Sequence, residues 1–87
     1  YAYADIPHGW KATAFQVYSN STDVCSFIVV DLTDGSGTTD GNTGNANTEV
    51  TLATPLVGAA STIGLIKHAV NSTSDLTFGG YVKIERV

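Results

Sequence analysis

The stretch that most restricts the fold is the C-terminal run Asp75-Leu76-Thr77-Phe78-Gly79-Gly80-Tyr81-Val82-Lys83-Ile84-Glu85-Arg86-Val87. From Tyr81 onward apolar and polar side chains alternate, with Val82 and Ile84 on one side and Lys83 and Glu85 on the other. A period of two suits a half-buried strand, whose successive side chains point to opposite faces. The paired glycines ahead of it predict a bulge or a close backbone approach. A chain closing on such a strand is expected to tuck it between earlier ones. No window shows the three-and-four apolar spacing of an amphipathic helix, and residues that fill helix surfaces are few. The class is all-β.

With 87 residues there is room for one domain. So short a chain buries roughly 60–65% of the surface that its unfolded form exposes. Cys25 is the only cysteine, so no internal disulfide supplements the core. Oligomerisation is the expected external support. The net charge is −4 and the four cations, Lys11, Lys67, Lys83 and Arg86, stand singly. No basic patch is available to neutralise phosphates, which argues against a nucleic-acid partner. No apolar run approaches the ~18–20 residues of a membrane-spanning helix, so no membrane partner is expected. A chain without methionine that opens on Tyr1 is expected to be processed or, as we favour, the ordered part of something longer.

Residues 1–9 read as an extended arm and turn, and residues 10–87 as the β-sandwich domain. Tyr1 to Asp5 alternates aromatic and small residues; it is either an arm that docks on a neighbouring subunit or the first edge strand of its own domain. Pro7 and Gly9 mark a turn, with Trp10 as its core anchor. Lys11 to Tyr18 forms a strand with Thr13, Phe15 and Val17 on one face. After the polar turn Ser19 to Asp23, Val24 to Leu32 is apolar enough on both faces to be a central strand, with Cys25, Phe27 and Val29 on one of them. These two strands read as an antiparallel hairpin.

Thr33 to Asn47 holds no apolar residue larger than alanine. It is expected to stay outside the core as a contact loop, or as a hairpin with Asp40-Gly41 at its tip. Val50 and Leu52 point inward, Pro55 and Gly58 break the pattern, and Thr62 to Val70 sets Ile63 and Leu65 against Ile66, His68 and Val70. The whole reads as one antiparallel β-sandwich or jelly-roll-like domain of about five to seven strands with an extended N-terminal arm.

Catalytic chemistry finds poor material. His8 lies in a turn, His68 in an apolar strand where a structural role is preferred, and Cys25 reads as a small buried hydrophobe. No Ser or Thr carries a nucleophile-elbow signature, so no catalytic residue and no cofactor is assigned. Asp31, Asp34 and Asp40 offer oxygens of the kind calcium prefers, but without the EF-hand order, and solvated turn residues are the preferred reading. Asn20 and Asn71 match the glycosylation acceptor pattern, which matters only in a secretory pathway. Tyr1, Tyr3, Ile6, Trp10, Tyr18 and Tyr81 are the candidate contact residues, since aromatics are enriched at interfaces.

Ile6-Pro7-x-Gly9-Trp10-Lys11-Ala12-Thr13, then Val17-Tyr18, and Gly79-Gly80-Tyr81-Val82-Lys83-Ile84 resemble the closing β domain of small virion proteins of tailed bacteriophages, many of them marine. Their common opening is Ile-Pro-x-Gly-Tyr/Phe-Lys-Ala-Thr and their ending Tyr-Gly-Gly-Tyr-Val-x-Ile. Trp10 and Phe78 depart conservatively, and the 33–47 loop matches only in being polar. The resemblance implies a non-enzymatic structural protein of a virus particle, a capsid decoration protein ahead of a tail or fibre part. It would work as a homo-oligomer, trimeric or larger, beside neighbouring virion proteins. The competing classes are a carbohydrate- or cell-surface-binding module and the subunit of an extracellular filament.

Overall fold

The computed structural model describes residues 1–39 and 42–87. Among them the chain is all-β and antiparallel, with no helix. The strands are β1 (Ala2–Ala4), β2 (Trp10–Ser19), β3 (Val24–Asp31), β4 (Gly37–Thr38), β5 (Thr43–Asn45), β6 (Val50–Val57), β7 (Thr62–His68) and β8 (Thr77–Arg86). One sheet has the order β1-β7-β3-β4, with β5 also on β3, and the other has the order β6-β2-β8. The two lie face to face in a sandwich-like arrangement. β3 is central, with β7 on one side and β4 and β5 on the other.

The expected hairpin of β2 and β3 does not form. β2 pairs with β6 and β8, and β3 lies in the opposite sheet. Both strands are apolar on the face they turn inward, and stacking those faces across the sandwich buries more than setting the strands edge to edge. Phe15 of β2 and Phe27 of β3 are fully buried, with centroids 5.7 Å apart and planes tilted by 50°. Burial of each ring is worth about 1.5–3 kcal/mol. Phe27 also lies over Gly64 of β7, where an added Cβ would stand 2.3 Å from its Cζ.

The expected inward face of β2 holds only in part. The register with β8 slips between Ala12 and Ala14, leaving Thr13 as an extra residue. A bulge inverts the alternation on one side of it, so Ala12 joins Phe15 and Val17 in the core while Thr13 stays outside the core cluster, its hydroxyl 3.4 Å from the Lys83 carbonyl. On β6, Leu52 is buried and Val50 packs on the core as expected. The pattern break around Pro55 appears as a jump in pairing, from Ala12 opposite Leu56 to Ala14 opposite Thr51, but the strand runs on and Leu56 is buried.

The expectation that 33–47 stays out of the core is also corrected. β4 and β5 add to the edge of β3, and Ala46 is 1% exposed within the core. Sheet edges are built by backbone groups, which polar residues carry as well as apolar ones. Buried Asn42 accepts from the backbone N–H of Phe27 at 2.9 Å through its carbonyl, and from that of Ala53 at 2.9 Å through Oδ1. Asn47, at φ 68°, donates from Nδ2 to the carbonyls of Ser19 and Ser21, each at 2.9 Å. The expected tip, Asp40-Gly41, lies outside the described residues.

Two further expectations change. β8 is not tucked between strands but closes the edge of the β6-β2-β8 sheet. Its mostly exposed residues suit an edge, and the inner place is taken by β2, which is buried on both faces at Ala14 and Phe15. Of the two readings of the N-terminus, the structure has the edge strand: Ala2, Tyr3 and Ala4 pair with Ile66, Leu65 and Gly64 of the same chain.

Candidate assembly interface

β1 and β8 are the terminal strands of the two sheets on the same side of the sandwich. Between them the sheets part, leaving an open cleft of about 800 Å³. Its walls are apolar at Ala4, Val17, Ile66, Val70, Val82 and Ile84. The cleft exists because β1 is short and covers only Gly64–Ile66 of β7, while β8 contributes glycines where it passes β2.

Those glycines answer the sequence expectation. Gly79 has a φ of +136°, a region that side chains disfavour, and the register slips from Tyr18 opposite Gly79 to Ser19 opposite Thr77, making Phe78 the bulged residue. At Gly80 an added Cβ would sit 2.2 Å from the carbonyl oxygen of Gln16. Beyond this bulge β8 runs in regular register from Gly80 to Lys83 and from Ile84 to Arg86, and its outer edge pairs with no strand among the described residues.

The six candidate contact residues part company here. Tyr1 and Tyr3 are 83% and 76% exposed and line the cleft. Ile6 is buried in the core and so is withdrawn from any neighbour. Trp10 is half-buried on the core, with the Arg86 guanidinium 5.2 Å from its ring centroid, a cation–π contact. Tyr18 and Tyr81 form a pair on the outside of the smaller sheet, with centroids 6.2 Å apart. The Tyr81 hydroxyl donates toward the Glu49 carboxylate, with Oε1 of Gln16 at 2.9 Å, and this bond to a carboxylate pushes its pKa up to about 12.

A second apolar surface lies on the outer face of the larger sheet and was not singled out from the sequence as a contact face. Tyr3 stands opposite Leu65, Leu65 opposite Ile28, and Ile63 opposite Val30. The four aliphatic residues are half-buried. Their alternation with the core residues of β3 and β7 was legible, but a double-sided apolar strand equally signals a covered one.

The third cluster is polar. Asp23, Cys25 and His68 come together where β3 and β7 end, Cys25 standing opposite His68 in the ladder. Asp23 accepts from Ser21 Oγ and Asn71 Nδ2, both at 2.8 Å, and its Oδ2 is 3.9 Å from His68 Nε2. The other ring nitrogen, Nδ1, is 2.6 Å from Thr77 Oγ1. The carboxyl of Asp75 beside Asp23 holds Asp23 below its ordinary pKa, and the Asp23 carboxyl in turn raises that of Asp75. The three residue types suggest a nucleophile, a base and an orienting acid, but the bonding does not match. Burial pushes the Cys25 thiol up, and its Sγ contacts the Asp23 carbonyl at 3.6 Å rather than an imidazole nitrogen. This cluster ties the ends of strands together.

The acidic turn is likewise self-satisfied. Asp31 Oδ1 accepts from the Thr33 N–H and hydroxyl at 2.9 and 2.6 Å, and Asp34 Oδ1 from the Ser36 N–H at 2.8 Å. That bond from Ser36 lowers the Asp34 pKa. Asp40 lies outside the described residues, among which no group of three or more His, Cys, Asp or Glu is placed to hold a metal. Asn20 and Asn71 spend their side chains on Ser74, Leu76 and Asp23. No family model, curated protein or solved structure matches this chain.

Proposed function

We propose that this chain is a non-enzymatic structural protein of a virus particle, acting through repeated contacts between subunits and with neighbouring virion proteins. The observation that carries this reading is the open apolar cleft between the edge strands β1 and β8. Apolar surface left at a sheet edge is a standing invitation to association. The resemblance of both chain ends to the closing domain of phage virion proteins supplies the viral setting, and a place on the capsid surface is preferred to one in a tail or fibre. A jelly-roll-like wrapping of the sheets and exchange of the Tyr1–Asp5 arm between neighbours are the finer parts of this reading. β1 suits such exchange, because only Ala4 of its residues packs on the core.

Mass spectrometry of gradient-purified particles from the system that encodes the chain tests the reading. Many copies per particle are expected, and absence from particles would overturn it. Deletion of Tyr1–Asp5 is expected to leave a folded protein that assembles poorly; unimpaired assembly would remove the arm from the account. The Tyr18–Tyr81 pair favours a second reading, a carbohydrate-binding module, since adjacent rings on a sheet face suit stacking on sugars. Glycan binding that Tyr18→Ala abolishes would move this reading ahead.

A further inference from the structure

Deepening that reading, we infer that the β8 edge pairs with β8 of a second copy about a two-fold axis through Ile84. Register selects this contact. Opposed residues in an antiparallel ladder share a face, and Lys83 and Glu85 lie together on the outer face of β8, opposite Ala14 and Lys11 of β2. Both are exposed, and neither forms an ion pair within its own chain among the described residues.

Take the possible two-fold registers in turn. Centring on Lys83 or Glu85 sets like charges opposite each other, and centring on Arg86 sets two guanidinium groups together. Centring on Val82 or Tyr81 pairs neither charge with its opposite. Only the register centred on Ile84 places Lys83 of each copy opposite Glu85 of the other, giving two complementary pairs at once. It uses the part of β8 beyond the Phe78 bulge, where the extra residue of the remaining irregularity, Thr13, belongs to β2 and not to β8. An isologous contact of this kind closes on itself.

The same operation brings the two open clefts mouth to mouth. Val82 and Ile84 face inward opposite Phe15 and Ala12, so the two copies would continue one apolar layer across the axis. Tyr1 and Tyr3, both mostly exposed, line the same cleft from the β1 side. A stable interface of standard size buries about 800 Å² per partner, so this contact is a small one whose register the charge pairs set. The outer face of the larger sheet around Leu65, Ile28, Ile63 and Val30 stays free for other virion proteins.

The test is self-association of the full chain by analytical ultracentrifugation, with charge reversal. Each substitution acts twice across the axis. Lys83→Glu is expected to weaken the dimer about tenfold or more, and the double variant K83E/E85K to restore it, although E85K also sets a lysine opposite Lys11. Ile84→Cys supplies a direct reading of register. Residues paired across the axis lie about 4.5–5.5 Å apart at Cα, within disulfide reach, so mild oxidation is expected to give a covalent dimer. Cys25 is buried and does not compete. A chain that stays monomeric at millimolar concentration overturns the inference. So does a dimer that K83E leaves intact and that I84C fails to cross-link. Particle content is measured separately: a monomer found in particles removes only this contact, and a dimer missing from them removes only the virion reading.

Discussion

β6 and β8 flank the same central strand, β2, yet they are built for different ends. β6 sends Leu52 and Leu56 into the core at 4% and 8% exposure, carries Pro55, and pairs with β2 in an interrupted register. Proline is a usual way of blunting an edge. β8 commits far less to the core: Val82 packs on it, while Ile84 is 40% and Phe78 64% exposed. Its edge is long and borders an apolar cleft. One edge therefore holds the fold together, and the other leaves most of its surface to solvent. Burial, more than length or composition, tells the two apart.

The difference between the two edges is largest in a pair of truncations read by urea unfolding. Leu52→Ala on β6 is expected to cost about 2–5 kcal/mol, whereas Val82→Ala on β8 should cost less than about 1.5 kcal/mol, being only half-buried. Equal losses would mean that β8 is as much a core strand as β6. Next in size is Gly80→Ala, whose Cβ would press on the Gln16 carbonyl. A loss of about 1–3 kcal/mol is expected, with hydrogen exchange accelerated in β8 and not in β6. Uniform acceleration would show that the two edges unfold together.

The smallest effect concerns the polar end of the sandwich. Asp75 has a raised pKa through its bond with Asp23, so its contribution to stability is complete below the ordinary carboxylate value and is lost as pH rises through the raised one. Asp23 runs the other way: its lowered pKa contributes stability above the ordinary value, lost as pH falls through the lowered one. Asp75→Asn keeps a donor beside Asp23 and removes the first dependence alone. Melting temperature followed from pH 4 upward, about where a free aspartate titrates, is expected to decline in the parent and to hold steady in the variant. Parallel curves would show that Asp75 plays no part.

Much of the strand content was open to inspection in the residues. Cys25, Phe27 and Val29 share a face because strands have a period of two, and Val50 and Leu52 point inward for the same reason. The glycines at 79 and 80 announced a bulge because few other residues tolerate such backbone. The candidate site was legible only in fragments. The chemistry of Tyr1 and Tyr3 points to exposure and they are exposed, but Ile6 is buried, and the free edge of β8 carries no signal, since an alternating strand looks the same at an edge as in the middle.

Local chemistry, then, settled class and strand positions: alternation, turn residues and glycine placement act over a few neighbouring residues and can be read one stretch at a time. Which strands pair, and therefore where the edges and the cleft fall, depends on contacts between residues far apart in the chain. Ser19 is held by Asn47 and by the carbonyl of Leu76, and Asp23 by Asn71. The bulge at Thr13, which brings Ala12 to the core, exists only in the pairing of β2 with its two distant neighbours, β6 and β8. Such choices follow from how the two apolar layers pack best as a whole, and no single stretch carries that information.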